Sequence, residues 1–200
     1  IRRDHPSVNY YIRKRIITDN LYGVDIMEEA TEIARLRLFL FLVSSAQTVD
    51  QLEPLPNIDF NIMCGNSLIG LLKVDEQRFN QSGQGDLFQG ENARQYRELL
   101  AEKNRLIGSY RNASSFVEDL HGLRGKIDAH KQDAYATLDT ILLNDFRTLK
   151  IQYEGAQANG KAKKRPVELA DIHALDPFHW GYEFDTIIGE RGGFDVIITN

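Results

Sequence analysis

Between residues 5 and 20, HPSVNYYIRKRIITDN, apolar side chains return at Val8, Tyr11, Ile12 and Ile16. Spacings of three and four predict an amphipathic helix, with Pro6 near its start. NLYGVDI (20–26) is a short β-rich run, and MEEATEIARLRLFLFLVSSAQ (27–47) predicts a strong helix. Glu28, Glu29 and Glu32 crowd the first turns of that helix, where the helix dipole favours negative charge. Its second half is apolar nearly all round, the pattern of a helix covered by other protein. FNIMCGNSLIG (60–70) predicts another short strand that runs into a glycine-bounded loop.

The middle of the chain differs in character. Residues 73–90 carry Gly83, Gly85 and Gly90 among glutamines with no period, so a mobile loop is expected there. From about 91 to 154 the chain is charged, balanced in sign and helix-favouring. The pattern predicts two antiparallel helices turning near 112–115. Leu99, Leu100, Leu106 and Ile107 would face Leu120, Leu123, Ile127, Leu138, Ile141 and Leu142. AQANGKAKKRP (156–166) reads as a linker by composition, and DPFHWGYEF (176–184) and FDVIITN (194–200) read as short strands. A continuous apolar run such as VIIT fits a strand buried on both faces. The whole pattern is α/β with a mainly parallel sheet and an inserted helical hairpin. It divides into an N-terminal α/β part (1–72), a flexible loop (73–90), the hairpin insertion (91–156) and a linker with the return to the sheet (157–200).

Composition narrows the class. Two hundred residues suffice for one core, or one domain with an insertion. LFLFLV at 38–43 is far short of the roughly 20 apolar residues that span a bilayer, so no membrane partner is expected. No charged segment followed by an apolar one opens the sequence, so nothing marks secretion. Cys64 is the single cysteine, which excludes an internal disulfide and a cysteine-based zinc site. A reducing cytoplasm is the expected location. The net charge of −5 argues mildly against a dedicated nucleic-acid binder. The basic runs RKR (13–15) and KAKKR (161–165) fit solvated surface better than a phosphate track.

Ligands of open α/β sheets sit at the carboxyl ends of the strands, and that rule selects the candidate chemistry. Asp25 in YGVDI is placed to accept both hydroxyls of a nucleotide ribose, or to cap the helix that follows. Gly23 lets a neighbouring backbone approach closely. In Cys64-Gly65-Asn66-Ser67 a short polar side chain can reach a bound base, although Gly-Asn-Ser is also ordinary turn chemistry. Asn200 offers an amide with both donors and an acceptor. His173, Asp176 and His179 match no standard ligand spacing, and Pro177 interrupts any helix between them, so no metal is expected. Phe178, Trp180 and Tyr182 read as packing rather than a base-stacking platform. Neither GxGxxG nor GxxxxGK[ST] nor GxSxG is present.

Taken in order, YYIRKRIITDNLYGVDIMEEATEIARLRLFLFL, FNIMCGNSLIG, DPFHWGYEF and GGFDVIITN resemble one family. It is the adenine-N6-specific DNA methyltransferase domain of type IIG restriction–modification enzymes and related phage-defence methylases. The resemblance spans nearly the whole chain apart from the middle loop and hairpin. It implies a class I S-adenosylmethionine (SAM) methyltransferase fold, a Rossmann-like parallel sheet between helices. Double-stranded DNA and SAM are the implied partners, with no metal. By resemblance, Asp25 binds the SAM ribose, Ile26 lies against the SAM adenine, and Asn66 stands near that adenine's amino group. Asn200 matches the first residue of the catalytic Asn-Pro-Pro-aromatic motif. In that motif the asparagine side chain and the next carbonyl accept hydrogen bonds from the amino group of a target adenine flipped out of the duplex. The amino nitrogen then attacks the SAM methyl in line.

The departures carry expectations of their own. The glycine-rich first motif, the Pro-Pro-aromatic continuation and the target-recognition domain are not in the sequence. The resemblance therefore implies an internal fragment, itself inactive, whose partial sheet lacks the first central strand. Open strand edges would make it weakly stable alone. Two other readings stay open. The 91–154 hairpin is a DNA- or partner-binding module through Arg94, Arg97, Arg105 and Arg111, or Asp25 serves another nucleotide-binding α/β protein.

Overall fold

A computed structural model describes residues 7–52, 56–82, 95–112, 119–155 and 163–199. The chain divides into two compact units. Unit 1 comprises Ile1–Gly65 with Ile107–Leu123, and unit 2 comprises Asn66–Leu106 with Arg124–Asn200.

Unit 1 opens with α1 (Val8–Asp19), whose first turn is capped by Ser7 Oγ accepting the Tyr10 N–H. Its buried seam is Tyr10 and Ile17, two helical turns apart, while Ile12 and Ile16 are half exposed. The helix forms as expected but buries a different face from the predicted one, because its neighbours Leu42 and Ile58 meet Tyr10 and Ile17. Fully burying a side chain of this kind contributes about 1.5–3 kcal/mol. An orphan carbonyl in the last turn of α1 and another just beyond the helix are met by buried Asn61. Its Nδ2 donates to Thr18 O (2.8 Å) and Leu21 O (3.2 Å), and its Oδ1 accepts from Arg111 Nη2 (2.7 Å).

The predicted strands at 20–26 and 60–70 form β1 (Gly23–Asp25) and β2 (Ile62–Cys64), with α2 (Glu28–Val43) between them. The two strands pair in parallel, Val24 opposite Met63 and Asp25 opposite Cys64. Arg35 on α2 ties helix to strand by donating Nε (3.1 Å) and Nη2 (2.7 Å) to the Ile62 carbonyl. The second half of α2 departs from expectation. Leu42 is fully buried, but Leu36, Leu40 and Phe41 stay exposed among the described residues.

Unit 2 is mostly helical. A short helix, α3 (Glu76–Ser82), occupies part of the segment expected to be a loop, and residues 83–90 lie outside the described residues. Phe79 explains α3, since its ring packs 4.8 Å from that of Tyr96 and gives the turn a buried anchor. Two long helices follow, α4 (Tyr96–Asn112) and α5 (Leu120–Thr148), in the region predicted to hold two; the turn expected near 112–115 falls almost wholly outside the described residues. Tyr96 and Leu99 of α4 share a core with Leu138, Ile141 and Leu142 of α5.

The rest of the chain corrects several expectations. QYEG is not the end of a helix but β3 (Gln152–Gly155), and KKRP is not linker but β4 (Lys163–Pro166), paired antiparallel. The stretch 176–184 is not a strand, because its buried residues do not alternate. Pro177, Phe178 and His179 are buried in succession, after α6 (Leu169–Ala174), and the chain then turns into α7 (Trp180–Glu183). A wide helical turn, Thr186–Glu190, follows. Residues 194–199 form no strand either. Backbone donors and acceptors build a strand only beside a partner; this run has none among the described residues, and Ile198 is 91% exposed. Among the described residues the parallel sheet is therefore two-stranded, and the class is mixed α/β.

Candidate functional site

In unit 1 the carboxyl ends of β1 and β2 bring Asp25, Ile26 and Cys64 together. The Gly65 N–H extends the ladder by donating to Asp25 O at 2.9 Å, and Cys64 Sγ lies 3.5 Å from Ile26 O. Asp25 Oδ1 accepts the Met27 N–H at 2.8 Å. Asp25 thus caps the entry to α2, where Met27 supplies no side-chain cap. That bond occupies one carboxylate oxygen. Oδ2 has no partner among the described residues, and the side chain faces solvent. Ile26 is 64% exposed beside it. A free carboxylate oxygen next to an open apolar side chain is chemistry suited to a ribose and the flat face of its base. The two readings of Asp25, cap and ligand, are compatible, since a carboxylate has about four acceptor positions.

In unit 2 Asn66 opens a loop tied closely to a segment far along the chain. Its N–H donates to Asp176 O (2.8 Å), its Nδ2 to Leu175 O (3.1 Å), and its Oδ1 accepts the Leu68 N–H (3.2 Å). One amide hydrogen and the second lone pair of Oδ1 remain for a ligand. The lacing continues with Phe178 N–H to Ile69 O at 2.7 Å, Trp180 Nε1 to Ser67 O at 3.0 Å and Gly181 N–H to Leu71 O at 3.1 Å. Gly70 has φ +143, and a Cβ there would lie 2.1 Å from Phe178 O. A side chain is therefore excluded by contact as well as by backbone conformation. NSLIG and DPFHWG, read separately in the sequence, are one structural element.

Beneath this lacing lies a polar network. His179 is fully buried; its Nδ1 accepts the Leu71 N–H at 3.2 Å, which leaves the proton on Nε2 to be donated to Asp139 Oδ1 at 2.9 Å. Exposed His173 approaches the other oxygen of Asp139 at 3.3 Å. The histidines meet Asp139 and not Asp176, and among the described residues no group of three metal-capable side chains gathers. Phe178 and Tyr182 are core, with Trp180 half-buried at its margin. Sequence reasoning passed over Asp139, although a lone carboxylate within the apolar run YATLDTILL was the available signal.

A second buried charge holds the end of α7. Lys103, only 3% exposed, donates to Tyr182 O and to Asp185 Oδ1, the latter at 2.5 Å. Burial pushes its ammonium below the ordinary lysine value, against the pull of Asp185. Glu183 accepts from Tyr135 Oη at 2.8 Å and pairs with Lys131 at 2.5 Å. Burial, reinforced by Glu183, raises the Tyr135 hydroxyl well above its usual value, and burial raises Tyr182 likewise. Nothing in the sequence distinguished Lys103 from the exposed lysines. Asn200 lies outside the described residues.

Comparison with known proteins agrees with the four blocks. The family described as Eco57I restriction-modification methylase matches residues 19–200. A protein of Methanocaldococcus jannaschii, named "Putative type II restriction enzyme and methyltransferase", is 30% identical over 214 residues. The aligned region covers 92% of this chain and 18% of that relative, so the chain spans less than a fifth of the relative's length. No solved structure matches.

Proposed function

The chain belongs to the Eco57I restriction-modification methylase family, and from that premise we propose that it serves a DNA methyltransferase that uses SAM to methylate the N6 amino group of adenine in double-stranded DNA. The observation that carries the reading is the end of β1, where Asp25 keeps an oxygen open beside exposed Ile26. These residues fit the donor. Asp25 accepts the ribose hydroxyls and Ile26 covers a face of the adenine; a role for Asn66 at the adenine's amino group rests on the family resemblance. SAM supplies a methyl group on a positively charged sulfur, hence an electrophilic carbon.

Asn200 is the proposed catalytic residue. Its side-chain carbonyl accepts hydrogen bonds from the amino group of an adenine flipped from the duplex, which raises electron density on that nitrogen. A carbonyl acceptor suits this task because it holds the amino group without protonating it. The Asp139–His179 network and the Lys103 clasp act as frame, since both are buried away from solvent. The lacing of residues 66–72 to 175–181 gives Asn66 a fixed backbone. The region 91–156, helical over Tyr96–Asn112 and Leu120–Thr148, is proposed as an insertion in this fold, with the reducing cytoplasm as the protein's location.

The test uses the protein in its full coding context, incubated with labelled SAM and duplex DNA and followed by nucleoside analysis. N6-methyladenine is the expected product, and Asn200→Ala abolishes it. Methylcytosine as the product, or unchanged turnover by Asn200→Ala, contradicts the proposal.

A further inference from the structure

The β3–β4 ribbon presents an exposed face. Its strands pair Tyr153 with Arg165 and Glu154 with Lys164, and Gln152, Tyr153, Glu154 and Lys164 all face solvent. The segment from 147 to 166 holds Arg147, Lys150, Lys161, Lys163, Lys164 and Arg165 against Glu154 alone, within a chain whose net charge is −5. Elsewhere Arg15, Arg78, Arg97, Arg105 and Arg124 each lie on a carboxylate. Arg147 and Lys150 are exposed and have no such partner among the described residues.

Two details argue that the ribbon is built rather than incidental. Arg165 is fixed at its base, forked onto Asp171 by two bonds of 2.7 Å and stacked 4.5 Å over the Tyr153 ring. Lys150 ends the turn after α5 at φ +56, a left-handed position where glycine or asparagine is usual and another side chain costs about 1 kcal/mol. A lysine held there at such a cost points to use of its charge. The helix terminus also favours a cation, but that contribution does not account for the cations on the ribbon itself.

We propose that the β3–β4 ribbon is a backbone-contacting arm for duplex DNA, in which Arg147, Lys150 and Lys164 neutralise phosphates. The weak, exposed Lys164–Glu154 pair at 3.5 Å gives way to a phosphate oxygen. A two-stranded ribbon fits a DNA groove in size, and Arg147 and Lys150 just before it, with the weakly paired Lys164 on it, supply the sequence-independent part of the affinity. The proposal rests on DNA being the substrate. It assigns a phosphate contact to Lys164, an exposed residue of the run KAKKR that reads as solvated surface in the sequence.

The test is fluorescence anisotropy of the protein in its full coding context with two unrelated labelled duplexes over a salt series. The triple variant Arg147→Ala/Lys150→Ala/Lys164→Ala should weaken both duplexes alike, by roughly tenfold or more at low salt. The slope of log affinity against log salt should fall by about 0.9 for each lost contact. Lys150→Arg/Lys164→Arg should keep the unmodified slope, and circular dichroism should show all variants folded. An unchanged slope in the triple variant, or tighter binding of poly-glutamate than of DNA by the unmodified protein, overturns the proposal. SAM binding, measured in parallel in the full coding context, is indifferent to these substitutions. The arm can thus fail while the methyltransferase reading stands, and the reverse.

Discussion

The two units solve the same problem with different means. Unit 2 gathers Leu138, Ile141, Ile172 and Tyr182 with eight further buried residues into one core, and sets beneath it Asp139 with His179 and Lys103 with Asp185. Unit 1 has a small cluster of Tyr10, Ile17, Leu42 and Ile58 and leaves much of the apolar side of α2 bare among the described residues. The residues with open hydrogen-bonding capacity do not follow the same division. In unit 1 Asp25 keeps an oxygen free at a strand end, and in unit 2 Asn66 keeps open capacity at the surface while Asp139, His179 and Lys103 below it are engaged with protein partners. Rigid framing is concentrated in unit 2, and ligand-ready groups stand at the surface of both.

The comparison breaks most readily at Asp139. Asp139→Ala leaves His179 buried with its Nε2 proton unmet, and such losses cost about 3–5 kcal/mol when the pair is charged and about 1–3 when it is neutral. Urea unfolding should show a loss in that range, with Asp139→Asn retaining part of the stability because its amide oxygen still accepts. If Asp139→Ala unfolds like the parent, unit 2 does not depend on its polar network.

Alkaline titration probes the same unit. Tyr135 and Tyr182 have folded values raised above the unfolded one, near 10, so the stability they contribute is present below pH 10 and is lost as pH rises beyond it. Lys103 has a lowered folded value and acts oppositely, adding stability as pH rises until its unfolded value near 10.5 is passed. Above about pH 10.5 only the tyrosine effect remains, at up to about 1.4 kcal/mol per pH unit for each tyrosine. Thermal unfolding should shift steeply down in that range, and Tyr135→Phe should flatten the slope.

Unit 1 supplies the smallest effect. Leu40→Gln on the bare side of α2 should change stability by no more than about 0.5 kcal/mol. Leu42→Ala, two positions along, should cost about 2–5 kcal/mol. Equal effects at the two positions would mean that α2 is covered after all.

What the sequence disclosed followed the kind of physics involved. Local period and turn chemistry were legible. The helix at 27–47, the strands at 20–26 and 60–70 and the long helices were read close to where they stand. Which face a helix buries was not, because Tyr10 and Ile17 are chosen by Leu42 and Ile58, residues distant in sequence. The strand reading of 176–184 failed for a similar reason. Tyr182 packs in a core with Leu71 and Ile69, more than a hundred positions away, and the Phe178 and Gly181 N–H groups are spent on Ile69 O and Leu71 O. Asp25 and Asn66 were legible as candidates because strand ends are marked by composition. Their hydrogen-bond partners were not.

The central claim is that the end of β1 holds the methyl donor through Asp25. Calorimetric titration of SAM into the protein in its full coding context, unmodified and as Asp25→Ala, tests it most directly. The account predicts binding that weakens by about 10–100-fold on substitution, as expected for losing hydrogen bonds to a charged acceptor. The folded state should lose only about 1 kcal/mol, from the bond to the Met27 N–H. Undiminished SAM affinity in a folded Asp25→Ala protein would contradict the account.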